Sequence, residues 1–215
     1  MSYKPYVIDE LLRDIHCHLS SEDECYYLMV YTSKVGFAYS NENSLISNFK
    51  KKLDTRGTPQ WAHKGRAIQT LGNVFYDTLP LIIDFTSTTI VPIPPSKSKT
   101  DPLYDNRLNQ LLEIGCRGRN ADVRNLILID QSVEATHTLE EMGLRRPTIP
   151  EIKRNYRFDN DLVHNLKPTI MLFDDVLTTG AHYIACKEVI QAGFPNADVY
   201  GVFIARRELP PEILM

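Results

Sequence analysis

The sequence contains no C-x-x-C pair: its four cysteines, Cys17, Cys25, Cys116 and Cys186, stand apart. That excludes the paired thiols of a zinc ribbon or a thioredoxin-type redox site. No apolar run follows Met1, so a secretory leader is not expected. No window approaches the ~18 consecutive apolar residues of a membrane span, and no membrane partner is expected. With its thiols free, the chain is expected in the cytoplasm. Positive charge is not in excess either: the formal net charge is −3 and the isoelectric point about 6.1. A broad nucleic-acid-binding surface is therefore disfavoured, while a local basic patch stays open. Internal repeats and low-complexity segments are absent.

What is present is ordinary for a globular protein: 215 residues, 43% hydrophobic and 24% charged. That suits one α/β domain with an appendage. Residues 6–19 carry Ile8, Leu11, Leu12 and Ile15 at helical spacing. Residues 25–32 (CYYLMVYT) predict a strand, with 36–40 as its hairpin partner. Residues 43–53 and 62–79 predict helices through Leu45, Ile46, Phe49 and Leu53, then Ala67, Ile68, Leu71, Val74 and Phe75. From about residue 86 the texture changes. Short apolar runs at 88–93, 126–129, 170–173 and 199–204 alternate with helical segments such as 106–114. Strands of this kind predict a parallel sheet flanked by helices on both faces. The expected division is an N-terminal α+β appendage or hood (1–80) and a core (81–215), with a mobile or helical insert at about 131–167.

Two stretches lie at expected strand carboxyl ends, where such sheets bind ligands. In IMLFDDVLTTGAHYIACKEVI, residues 170–190, four apolar residues run into Asp174 and Asp175, followed by Thr178, Thr179 and Gly180 and then a helix. The turn offers backbone N–H groups and hydroxyls at a helix N-terminus, which suits a phosphate. The carboxylates cannot bind that phosphate but can accept from vicinal hydroxyls or hold a hydrated Mg²⁺. A ribose 5-phosphate fits both halves. The plainer alternative is two acids ending a strand and a Thr-Thr-Gly helix cap. In TIVPIPPSKSK, residues 89–99, Lys97 and Lys99 follow a proline-stiffened turn, with Ser96 and Ser98 as further donors. That suits a second anion, or else a solvated loop.

The motif IMLFDDVLTTGAH resembles the phosphoribosyl-pyrophosphate (PRPP) motif of type I phosphoribosyltransferases. The resemblance implies that Asp174 and Asp175 contact the ribose hydroxyls, serve catalysis and hold Mg²⁺, directly or through water. It also implies that Val176, Leu177, Thr178, Thr179, Gly180, Ala181 and His182 wrap the 5-phosphate. His182 stands where the family usually has threonine. TIVPIPPSKSK looks like the family's pyrophosphate loop, which assigns Pro95, Ser96, Lys97, Ser98 and Lys99 to pyrophosphate. NRLNQLL (106–112), NFKKKLDTRG (48–57) and KRNYRF (153–158) resemble the ComF-like branch, so the resemblance spans roughly residues 42–207. The N-terminal cysteine pairs of that branch are missing. His16, Cys17, His18 and Cys25 lack the spacing of a structural zinc site and are expected to lie at an ordinary helix end.

The resemblance implies a protein that binds PRPP with Mg²⁺ and transfers the phosphoribosyl group to a nitrogenous acceptor, releasing pyrophosphate. The alternatives are a catalytically silent PRPP or nucleotide sensor, or a ComF-like accessory factor in DNA uptake or DNA-linked defence. A homodimer is a further expectation. The insert carries Arg145, Arg146, Lys153, Arg154 and Arg157, which would close over pyrophosphate or form a basic helical exterior. Asp130, Glu134 and His137 are open acid–base candidates, more simply read as structural.

Overall fold

The computed structural model describes residues 3–134, 139 and 142–210. A six-stranded sheet runs β1 (Tyr6–Val7), β2 (Cys25–Thr32), β8 (Asp198–Glu208), β7 (Thr169–Leu177), β3 (Thr88–Pro92), β4 (Asp122–Val123). All neighbouring pairs are parallel except β1 with β2. Helices α1 (Glu10–Arg13), α2 (Asn41–Phe49), α3 (Trp61–Thr78), α4 (Arg107–Gly115), α5 (Ile149–Arg154) and α6 (Ala181–Gly193) surround it. The result is an α/β fold with a mixed, mostly parallel sheet flanked by helices, the general architecture that the phosphoribosyltransferase resemblance implies.

β7 shows why the middle strands read as unbroken apolar runs. Successive side chains leave a strand on opposite faces. Met171 and Phe173 join a core with Ile46, Phe49, Leu71 and Phe75 from α2 and α3. Ile170 and Leu172 face Tyr183, Cys186 and Ile190 of α6. Phe75 meets Phe173 edge to face, with ring centroids 5.0 Å apart. Fully burying an aromatic or aliphatic side chain of this size is worth about 1.5–3 kcal/mol. Helices α3 and α4 approach closely at Gly72, where an added Cβ would stand 2.6 Å from the Ile114 side chain.

Four sequence expectations are corrected. Residues 6–19 are not one helix: Ile8 N–H donates to Cys25 C=O at 2.9 Å, extending the β1 ladder. The Asp9 side chain then caps α1, which ends at Arg13.

Residues 36–40 form no strand. The Asn43 side chain caps the end of β2 instead, accepting from Thr32 N–H at 3.1 Å and donating to the carbonyls of Thr32 at 2.7 Å and Gly36 at 3.1 Å. β1 pairs only with Tyr26 and Tyr27 at the start of β2, and the other edge of β2 is taken by β8.

Residues 126–129 do not join the parallel sheet. β4 already occupies the edge of β3, so β5 (Ile127–Ile129) pairs antiparallel with β6 (Tyr156–Phe158).

The strand expected at 170–173 continues to Leu177, so both acids lie within it, Asp174 opposite Phe203 of β8. The residues assigned to an N-terminal appendage supply β1 and β2 to this same sheet and α2 and α3 to the same core as α4.

Candidate active site

Because Asp174 and Asp175 lie within β7, their carboxylates leave the sheet on opposite faces. Asp175 is 4% exposed. Its Oδ2 accepts from Arg107 Nη2 at 2.6 Å and Nε at 3.2 Å, and its Oδ1 from Lys50 Nζ at 3.1 Å. Arg107 also donates through Nη1 to Asp105 Oδ2 at 2.8 Å. Lys64, 2% exposed, completes the chain of charges. Its ammonium donates to the same Asp105 oxygen at 2.8 Å and to the carbonyls of Phe49 at 2.8 Å and Lys51 at 2.9 Å. Burial alone would raise the Asp175 pKa, but Lys50 and Arg107 outweigh it and hold the carboxyl well below the ordinary range.

Asp174 is placed differently. One of its oxygens accepts from the Asp175 backbone N–H at 2.7 Å, and its side chain borders a cavity of about 260 Å³. Burial, then the neighbouring Asp175 charge, pushes its pKa up to about 7. One acid of the pair is therefore committed to structural cations. The other is poised near neutrality at a cavity wall.

The same cavity is bordered by the turn after β3. Pro95, Lys97, Ser98 and Lys99 line the cavity. Ser96 instead turns its backbone to the 132–134 segment, its carbonyl accepting from Val133 N–H at 2.8 Å. Lys97 Nζ contacts Glu134 Oε1 at 3.0 Å, and Ser98 N–H donates to Ser132 Oγ at 3.0 Å. Asp130 pairs with Arg157 Nε at 3.0 Å beside the same cavity. Among the described residues, Lys97, Lys99 and Arg157 border it without being neutralised inside the core. Glu134 and Asp130 are in ion pairs, while His137 lies outside the described residues. The described part of the 131–167 insert has its own structure, α5 and β6; there Arg145 pairs with Glu151 and Lys153 with Glu188.

Beyond Asp174, β7 runs on through Val176 and Leu177 to the 178–182 segment, and none of residues 176–182 lines that cavity. Gly180 caps α6 with φ +88°, and an added Cβ would stand 2.8 Å from Leu19. This is one place where only glycine is comfortable. The turn is carried from beneath by residues 16–19. His18 N–H donates to Thr179 C=O at 3.0 Å, and the His16 ring donates from Nδ1 to Thr178 C=O. His16 is fully buried, and burial lowers its pKa. It lies in a turn rather than at a helix end, and Cys25 is buried in β2 while Cys17 is exposed. Among the described residues no group of three or more His, Cys, Asp or Glu is arranged to hold a metal ion.

His182, in the first turn of α6, has its Nδ1 2.8 Å from the Tyr156 hydroxyl of β6. Burial lowers its pKa to about 4, so the ring is neutral near pH 7.

Sequence reasoning missed Lys50, Lys64, Asp105, Arg107 and Tyr156 as members of this assembly. Only Lys64 carried a readable signal: it precedes Ala67, Ile68 and Leu71 by three, four and seven residues, and so sits on the apolar stripe of α3. The others are brought in by tertiary contacts across 26 to 125 residues of chain.

Among the described residues no helix is long and apolar enough to cross a membrane. No protein-family model matches the chain, and no curated protein does.

Proposed function

We propose that the chain binds PRPP and transfers its 5-phosphoribosyl group to a nitrogenous acceptor, releasing pyrophosphate. The observation that carries this reading is that Asp174, in the last half of β7, lines the same cavity as Lys97 and Lys99. The carboxylate suits sugar hydroxyls, and the lysines suit an anionic leaving group. Asp175, which the resemblance assigns to the sugar as well, is held by Lys50 and Arg107 on the other face of β7, so in this proposal the cavity-lining Asp174 is the acid that reads the sugar. The turn of residues 176–182 would take the 5-phosphate on backbone N–H groups and the hydroxyls of Thr178 and Thr179.

In this mechanism the C1–oxygen bond to pyrophosphate breaks as charge builds on the leaving oxygens. Lys97 and Lys99 stabilise that charge, with Ser98 as a further donor. Asp174 orients the ribose and faces the positive charge developing on its ring. Among the chain's groups Asp174 fits Mg²⁺ as a single carboxylate ligand completed by ligand oxygens and water. The ion would neutralise diphosphate charge. No protein nucleophile is needed, because the acceptor nitrogen attacks C1.

A second reading, binding and sensing of PRPP without turnover, is favoured by one observation. Asp175 is already held by two cations, so it is less free to act on a ligand.

The deciding experiment is a thermal-shift and turnover series on the full chain. PRPP with Mg²⁺ should stabilise it by roughly 2.7 kcal/mol at about 100 times the dissociation constant. Ribose 5-phosphate should stabilise it partly, and a 2′,3′-dideoxy nucleoside monophosphate less. Pyrophosphate release with a base or amine supports transfer, and binding without release supports sensing. Equal stabilisation by the dideoxy compound would refute both.

A further inference from the structure

The Tyr156–His182 contact joins the insert to the first turn of α6. Tyr156 lies in β6, opposite Ile129 of β5, and its hydroxyl is 2.8 Å from His182 Nδ1. The two rings are 6.4 Å apart and tilted by 42°. His182 Nε2 makes no hydrogen bond with the described residues.

A neutral imidazole carries one N–H, and its two nitrogens then play different roles. The Tyr156 hydroxyl can donate to Nδ1, which puts the ring proton on Nε2. Alternatively Nδ1–H donates to the phenol oxygen, and the phenol proton must go elsewhere. The group on hand for that proton is the buried Cys186 thiol, which interacts with the same hydroxyl. Sulfur is a weak acceptor, whereas an imidazole lone pair is a strong one. The favoured chain is therefore Cys186 S–H to Tyr156 O–H to His182 Nδ1.

We infer that Tyr156 is a positioning residue that holds His182 as the Nε2–H tautomer, making the imidazole a donor to a phosphate monoester on the 178–182 turn. This inference rests on the proposed reading of that turn. A neutral donor there adds to the hydroxyls of Thr178 and Thr179 and to the backbone N–H groups of the first turn of α6. It does so without a titration that would make phosphate binding fall away near pH 7. Lys50, Asp175 and Arg146 are the charged groups that act on the ring, and their opposed effects leave burial to keep it neutral. The contact also makes the phosphate turn depend on the insert: the residue that sets the donor belongs to β6.

The test uses the full chain labelled with ¹⁵N-histidine, with ribose 5-phosphate as the probe. Long-range ¹H–¹⁵N spectra should show His182 as Nε2–H in the wild type. Tyr156→Phe should weaken ribose 5-phosphate severalfold. A threonine hydroxyl needs no tautomer to be set, so Tyr156→Phe should have no effect on affinity in a His182→Thr background. An Nδ1–H ring in a chain that binds the probe would overturn this inference and leave the turn's assignment standing. So would equal losses in both backgrounds, because Tyr156 would then act through packing alone. If the wild type does not bind ribose 5-phosphate, the reading of the turn fails and the donor role fails with it. The tautomer spectra do not depend on the probe and would separate those two results.

Discussion

Asp175 meets Arg107 through two hydrogen bonds to one carboxylate oxygen, at 2.6 and 3.2 Å. A guanidinium in that position neutralises the second acid before any ligand arrives, and it separates the fates of two adjacent aspartates.

Substitutions should separate them too. Asp175→Asn leaves Arg107 and Lys50 without their carboxylate, and removing one partner of a buried pair costs about 3–5 kcal/mol. Lys50 is a third exposed, which favours the lower end. In a chain of this size that is a fall in melting temperature of roughly 6–12 °C, at about 2–4 °C per kcal/mol. Asp174→Asn removes no ion pair and should leave the melting temperature within about 2 °C of wild type or raise it. Equal losses in the two variants would mean that the pair shares its charge.

The raised Asp174 pKa has a direction that can be measured. Its folded value, about 7, lies above the unfolded carboxyl value, so the folded state holds the proton more tightly. Stability should therefore fall as pH rises from the ordinary carboxyl range through about 7, and Asp174→Asn should flatten that slope. Asp175 is depressed, so its contribution is present above the ordinary carboxyl range and is lost as pH falls below it. Binding that needs the ionised Asp174 should strengthen about tenfold per unit as pH rises toward 7 and level off above it. Denaturant titrations across pH, with Mg²⁺-dependent PRPP binding alongside, would check both slopes.

Lys97→Ala with Lys99→Ala should weaken PRPP and pyrophosphate far more than ribose 5-phosphate. Lys97 and Lys99 border the cavity away from the 178–182 turn. Losing a hydrogen bond to a charged acceptor costs about 1.5–3 kcal/mol, or roughly tenfold or more per lysine. Calorimetry with the three ligands decides it. Equal losses would reduce the lysines to a general field.

Lys64→Met keeps the length of the side chain and removes its charge. The carbonyls of Phe49 and Lys51 and one bond to Asp105 would lose their donor. The expected cost is on the order of 3 kcal/mol. A urea midpoint lowered without a change in slope would fit loss of these bonds from an otherwise intact fold. A variant as stable as wild type would show that the ammonium contributes no net stability.

The parallel sheet was legible because β3, β7 and β8 are buried on both faces, which writes unbroken apolar runs into the sequence. The placement of the short pieces was not. Tyr6–Val7 carries too few residues to show a period, and residues 126–129 were legible as a strand but not as the antiparallel partner of β6, which lies elsewhere in the chain. Within the candidate site, Asp174, Lys97 and Lys99 could be named because each sits beside a recognisable strand end. That Asp175 turns the other way depended on where β7 stops, and strand ends leave little trace in composition. Arg107 and Lys50 look like surface cations in sequence and become partners only when α2 and α4 dock.

The turn at 178–180 rests on residues 16–19, and His16 is 162 positions from Thr178 along the chain. β2 likewise pairs in parallel with β8, Cys25 opposite Gly201. On the ribosome these are the earliest and latest parts of the fold to appear, separated by roughly 10 s or more at 5–20 residues per second. For that interval β2 has its eventual parallel edge bare, and the underside of the turn waits for the segment it will support. Ligand affinity should therefore be among the last properties a nascent chain acquires, arriving in one step with closure of the sheet.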